Sequence, residues 1–444
     1  MMRPLPKKSV VPIPRVIKKT DPPPRLKSMR DVLPEEWRFW RLVIDKALQL
    51  SRVYDFERIE TPLLEAVGLY EKAHGKTGEI TTKELYSFVD KGGERVALRP
   101  QCKTSLVRAV IEHSLIDETK LLVRTCQLGP VFRYGKLQIN YYRQHTQWNL
   151  DVIGETGPIA DVQLIQIGCN FFKELQLDTQ VQINSVGDAE CQTQYNAKLT
   201  EYYRDKTKKL KLPVELKKQM AKNPISVLLS DDERLTEINE EAPQIIDFLS
   251  EEAKNDFFSV IEYLDALGIN YNLNPRLFGN FDFYNRTVFE FVMPEEEGRK
   301  ELTLATGGRY SVLFERLYGK VLPAVGLSVG MDRTVNRIRA LNLPLEDASS
   351  PDIYLAQLGD IARQKAMNLF EELRKSGFKI AQGFLHNGLK RQLEEAQKLN
   401  VRFTLVMGQK ELMDGTIIIR DMESGAQEVV DSKKIIHELE KRLK

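Results

Sequence analysis

Cys126-Gln-Leu-Gly-Pro-Val-Phe-Arg-Tyr-Gly-Lys-Leu-Gln-Ile-Asn-Tyr-Tyr-Arg-Gln-His-Thr-Gln-Trp-Asn-Leu-Asp-Val-Ile-Gly154 is the stretch that decides the fold of this chain. Its two ends are apolar and β-prone, and its middle is polar and basic, so it reads as two antiparallel strands around a long basic loop. Strand alternation puts His145 and Gln147 on one face, provided that no bulge intervenes.

Away from that hairpin, composition narrows the class without deciding it. The chain has 444 residues, 42% hydrophobic and 29% charged, enough for two or three packed domains with the balance of a cytoplasmic protein. No run approaches the apolar length of a membrane span. Four cysteines, at 102, 126, 169 and 191, form no C-x-x-C pair and have no histidine at ligand spacing, so no metal site is expected. Three are read as buried apolar residues, and Cys102 as a candidate for lining the site. The net charge of +2 is too small to imply nucleic acid by itself, so any RNA affinity must come from local patches.

Residues 1–25 are rich in proline and basic residues with no periodic apolar face, which predicts an extended or disordered tail that is solvated or touches RNA phosphates. Apolar residues at helical spacing predict helices over 35–54, 106–113 and 159–175. Between about 187 and 267 the pattern is charged and helical without strand signals, and β pattern returns at Val288. The turn-rich segment 345–351 reads as a linker closing a core of residues 26–343. Strands at 353–358, 378–381 and 403–407 alternating with helices then predict a small open α/β domain over 351–444. His74, His113, His386 and His437 read as ordinary surface, and the aromatic run Phe281, Phe283, Tyr284, Phe289 and Phe291 mainly as core.

The hairpin of residues 126–154 resembles motif 2 of the class II aminoacyl-tRNA synthetases of the histidyl type. Lys27-Ser-Met-Arg-Asp-Val-Leu-Pro34 is similar to that family's opening signature, Arg58-Ile-Glu-Thr-Pro62 to motif 1, and Leu98-Arg-Pro-Gln-Cys-Lys-Thr104 to its amino-acid-binding loop. Phe281-Asp-Phe-Tyr-Asn-Arg-Thr-Val-Phe-Glu290 resembles the second histidine signature. Gly307-Gly-Arg-Tyr310 with Pro323-Ala-Val-Gly-Leu-Ser-Val-Gly-Met-Asp-Arg333 resembles motif 3. The resemblance implies a class II antiparallel-sheet catalytic domain of α/β (α+β) class with a helical insertion, followed by an anticodon-binding-like α/β domain. It also implies a homodimer built on motif 1, tRNA(His), histidine and ATP with Mg2+ as ligands, and ligation through histidyl-adenylate.

By the same resemblance Arg133, Arg333 and Gly330 serve ATP, and Gln101, Lys103, Gln147, Asp151 and Tyr284 serve histidine. Several of these positions depart from the family pattern. Glutamine replaces glutamate at 101, lysine replaces threonine at 103, aspartate replaces glutamate at 151, and glycine replaces glutamate at 135. Gly279 stands where the family carries a catalytic arginine. The substituted site is two charges more positive than the family's and implies activity that is reduced or lost, unless Lys103 substitutes for the arginine. Two further readings stand beside a ligase. One is a non-enzymatic paralogue that binds tRNA or nucleotide in a regulatory role. The other is the synthetase-like regulatory subunit of ATP phosphoribosyltransferase, which generally lacks the C-terminal domain.

Overall fold

The structure is a computed structural model and describes residues 24–76, 78, 80–135, 142–208, 212–230, 232–279, 282–294, 301–342, 350–384 and 387–443. The expected tail and linker, His386 and Phe281 lie wholly or largely outside these residues. The chain divides into two compact units, 1–343 and 344–444.

In the first unit the strands are β1 (Glu57–Arg58), β2 (Leu64–Ala66), β3 (Ser87–Val89), β4 (Arg95–Leu98), β5 (Val123–Phe132), β6 (Gln144–Ile153), β7 (Gln180–Ser185), β8 (Tyr271–Leu273), β9 (Asn285–Met293), β10 (Leu302–Arg309) and β11 (Ala324–Gly330). Eight of them form one sheet in the order β1-β5-β6-β11-β10-β9-β7-β8. Its interior pairs are antiparallel, and only the outermost pairs, β1 with β5 and β7 with β8, are parallel. β2, β4 and β3 make a separate antiparallel sheet.

The β5–β6 hairpin runs in unbroken register from Val123 opposite Ile153 to Phe132 opposite Gln144. Strand parity therefore separates β6 into two faces. On the even face, Trp148 meets Phe171 at 4.8 Å between centroids and donates from Nε1 to Ser51 Oγ at 3.0 Å. These contacts tie the sheet to helices Ile159–Glu174 and Pro34–Val53. The latter starts with Pro34 and two acidic residues, which suits a first turn whose amides lack partners, and buries Trp40, Val43, Ala47 and Leu50 at three- and four-residue spacing. The odd face of β6 carries His145, Gln147, Asn149 and Asp151 and looks toward the site.

A buried ion pair locks the far end of the sheet. Arg309, at the end of β10, donates from Nε to both carboxylate oxygens of Asp161 at 3.1 and 3.0 Å, and from Nη1 to the Glu155 carbonyl at 3.1 Å. Helices Ala189–Lys206, Val214–Lys222, Pro224–Leu228, Thr236–Glu240 and Glu251–Ala266 fill the stretch between β7 and β8, with Tyr195, Leu199 and Tyr203 buried in the core that the first four share.

The second unit contains β12 (Ile353–Gln357), β13 (Ile380–Gln382), β14 (Phe403–Met407), β15 (Thr416–Asp421) and β16 (Gln427–Asp431), ordered β13-β12-β14-β15-β16. Helices Asp360–Lys375 and Ile435–Leu443 bury Leu369, Leu373 and Leu439 against one face, and Leu389–Lys398 buries Ala396 against the other. The three parallel strands are those expected from sequence; β15 and β16 were not. β16 is an edge strand exposed at nearly every position, so it carries no alternating apolar signal.

Other expectations need correction. His74 is not surface: it ends the helix Val67–His74, buried with its ring 5.5 Å from that of Phe283 and Nδ1 3.6 Å from Asp282 Oδ1. Cys169 is partly exposed rather than buried, and the helix expected from Leu106 begins at Lys103. Among the described residues no helix is long and apolar enough to cross a membrane.

Candidate active site

A cleft of about 450 Å³ opens over the middle of the large sheet. β6 contributes His145 and Gln147, β9 Glu290, β10 Thr303 to Thr306, β11 Ser328 and Gly330, and the helix after β11 Asp332 and Arg333. The strand order places these elements side by side although they are far apart in the chain.

Arg133 and Arg333 both line the cleft. Each guanidinium is anchored by a main-chain carbonyl: Arg133 Nε donates to Pro100 O at 2.8 Å, and Arg333 Nη1 to Thr303 O at 2.7 Å. Two positioned cations of this kind can hold a phosphate chain without reorganising. The Arg133 main chain donates to Arg143 O at 2.8 Å, which closes the hairpin just beyond β5.

Gln147 and His145 share the cleft as strand parity predicts. Gln147 Oε1 is buried with no hydrogen-bond partner among the described residues, so it offers an acceptor to a ligand N–H or O–H. Burial, and then the positive charges of Arg133 and Arg333, push the His145 imidazole down to about 4, so it is neutral near pH 7. Glu290 behaves in the opposite sense: burial raises its carboxyl to about 7, against a 3.3 Å hydrogen bond from Thr303 Oγ1.

Asp151 and Tyr284 lie behind the cleft wall, both buried. Asp151 Oδ1 accepts from Tyr310 Oη at 2.9 Å and from Lys103 Nζ at 3.3 Å. Burial raises the Asp151 carboxyl, and the Lys103 charge opposes that rise. Lys103 therefore does not point to solvent; its side chain is 2% exposed. Gln101 also lines the cleft, but its polar atoms are turned to the helix Lys103–Glu112. Its Oε1 accepts from the Thr104 amide at 3.1 Å, and its Nε2 donates to Thr104 Oγ1. Cys102 is not among the lining residues; it is buried beneath them, and burial pushes its thiol up to about 11.

Gly135 lines the cleft without a side chain. Gly279 has a positive φ of 76°, and a Cβ there would lie 2.5 Å from Tyr284 Cδ2. The Tyr284 ring occupies the space into which a side chain at 279 would grow.

Several site residues carried no assigned role in the sequence reading. Arg99 clamps the loop before Lys103: Nε donates to Pro130 O and Nη1 to Thr61 O, each at 2.9 Å. Asp332 receives Arg30 Nη2 at 3.2 Å and the Thr146 amide at 2.7 Å, pinning the opening segment to the rim. Ser328, Tyr310 and Glu290 also belong to the site, and their strand-bound positions inside recognised blocks were the available signal.

A family model described as histidyl-tRNA synthetase matches residues 28–334, and one described as an anticodon binding domain matches 352–442. The chain is 33% identical over 412 residues to a histidine–tRNA ligase of Pediococcus pentosaceus, covering 92% of this chain and 97% of that one. It is 34% identical over 405 residues to a histidine–tRNA ligase of Caldicellulosiruptor saccharolyticus, covering 91% and 96%. The crystal structure of apo S. aureus histidyl-tRNA synthetase superposes with a TM-score of 0.77 at 28% identity, covering 93% of this chain and 98% of that one. The arginine-flanked cleft, the strand order that builds it and these matches over most of the chain agree: the chain belongs to the histidyl-tRNA synthetase family.

Proposed function

We propose that this protein is a histidine–tRNA ligase whose adenylate-forming step is slowed by the substituted half of its site. The observation that carries the reading is the convergence of Arg133, Arg333 and Gln147 on one cleft. The two guanidiniums would hold the triphosphate of ATP and stabilise charge growing at the α-phosphate, and Gln147 Oε1 would accept from an imidazole N–H of histidine. Glu290 is the carboxylate that fits Mg2+ on that triphosphate.

The slowed rate follows from Gly279 and Gly135. A missing preorganised donor typically costs about 10²- to 10³-fold in rate, and the Lys103 ammonium is engaged by Asp151 and Ser328 rather than held ready in its place. Histidine-dependent pyrophosphate exchange should therefore run at least roughly a hundredfold below that of an unsubstituted family member measured alongside; exchange at an equal rate would remove the claim of slowing. The second reading, a non-enzymatic paralogue that binds tRNA or nucleotide, is favoured by the Lys103–Asp151 pair. It requires no detectable exchange at any histidine concentration.

The protein acts, on this reading, as a cytoplasmic homodimer on tRNA(His). Exposed Leu63, Leu64, Phe88 and Val89 on and beside the small β2-β4-β3 sheet supply an apolar surface for a second copy. A folded monomer at micromolar concentration in sedimentation would count against that assembly.

A further inference from the structure

The floor of the cleft contains a complete cation site, and the protein fills it with its own side chain. Lys103 Nζ donates to Asp151 Oδ1 at 3.3 Å and to Ser328 Oγ at 3.1 Å, and lies 5.3 Å from the centroid of the Tyr310 ring. A carboxylate, a hydroxyl and an aromatic face together are the groups that recognise an organic ammonium ion. Each is itself fixed: Tyr310 donates to the same Asp151 oxygen at 2.9 Å, and Ser328 donates onward to Asn149 Oδ1 at 2.7 Å. The backbone makes room for the pair, since a Cβ at Gly326 would lie 2.1 Å from Asp151 Oδ1 and 2.7 Å from Lys103 Nζ.

Helix formation does not account for this lysine. Lys103 is the first residue of the helix Lys103–Glu112, where the helix dipole disfavours a cation, and the free amide of Thr104 is already served by Gln101. Its placement is accounted for by Asp151, whose buried carboxylate would otherwise face Tyr310 alone.

We propose that Lys103 is the built-in occupant of an organic-ammonium subsite and thereby determines specificity at the cleft floor. A ligand that presents a cationic group there must displace it, and one that does not binds with the lysine in place. That the displacing ligand is histidine rests on the function proposed above; the occupancy itself does not.

Lys103→Ala excises the equivalent of n-propylammonium, so that ion is the probe. The variant should melt about 5 °C below the wild type, because a buried carboxylate loses its partner. n-Propylammonium at tens of millimolar should restore at least half of the loss, while leaving the wild type and a Lys103→Ala/Asp151→Asn double variant unmoved. Tetramethylammonium, too bulky for the vacated channel, should not restore it. Failure of n-propylammonium to restore stability overturns the proposal. Should the variant not fold, reductive methylation of the native wild type decides instead: the Lys103 amine should react at least tenfold more slowly than that of exposed Lys218, and equal rates overturn the proposal. With ATP present, Lys103→Ala should bind L-histidine at least tenfold more tightly than wild type. Equal, measurable affinity in both proteins overturns the specificity role. Ammonium rescue with no histidine binding to either protein overturns histidine as the ligand and leaves the occupied subsite standing.

Discussion

Restoring the family arginine at position 279 should harm this protein before it helps it. Gly279 has a φ of 76°, and a Cβ there would meet Tyr284 Cδ2 at 2.5 Å and Cε2 at 3.1 Å. A left-handed backbone costs a non-glycine residue about 1–2 kcal/mol, and overpacking a filled interior costs about 1–3 kcal/mol more. Tyr284 cannot swing away freely, because its ring is buried beside Phe283, at 5.2 Å between centroids. Gly279→Arg should therefore lose about 2–5 kcal/mol, read as a fall of about 1 M in urea midpoint at a slope of about 3 kcal/mol/M. It should leave pyrophosphate exchange no faster. Gly279→Ala should show most of the same loss, since the overlap begins at Cβ. Gly279→Arg combined with Tyr284→Ala should be less destabilised than the two single effects summed, because the second change vacates the contested space. An arginine variant with wild-type stability, or one that speeds exchange unaided, would refute the reasoning.

Three further outcomes can be checked. Arg309→Met should cost about 3–5 kcal/mol in chemical denaturation, because it strands buried Asp161 without its guanidinium; a change below 1 kcal/mol would contradict the buried pair. Burial raises Glu290 to about 7 from an ordinary 4.5, so folding disfavours its ionised form: stability is lost as pH rises from about 4.5 to 7 and stays lower above. Glu290→Gln should thus match the wild type near pH 4.5 and exceed it by roughly 3 kcal/mol at pH 8 without nucleotide, a gain absent if the carboxyl titrates normally. Binding of tRNA should fall steeply with salt as counterions are released and should be mostly lost when residues 344–444 are removed; filter binding that is indifferent to both would argue against the anticodon-binding assignment.

The β5–β6 hairpin, the fold class and the family were legible in the sequence, because they rest on local pattern: strand alternation fixes which residues of β6 share a face, and ordered motif blocks fix the lineage. The same parity rule put His145 and Gln147 together once the register proved unbroken. Which atom answers which depended on strand order. Lys103, Asp151, Ser328 and Tyr310 come from four separate segments that meet only because β6, β11 and β10 are neighbours and the helix after β4 packs over them. A sequence shows a lysine where threonine was expected; only packing shows its ammonium on a buried carboxylate, its charge cancelled. The missing arginine is a parallel case. Sequence shows a glycine at 279, whereas the tertiary structure decides that a neighbouring ring has taken the space, since exclusion of volume is settled between residues distant along the chain or set by the backbone fold between them.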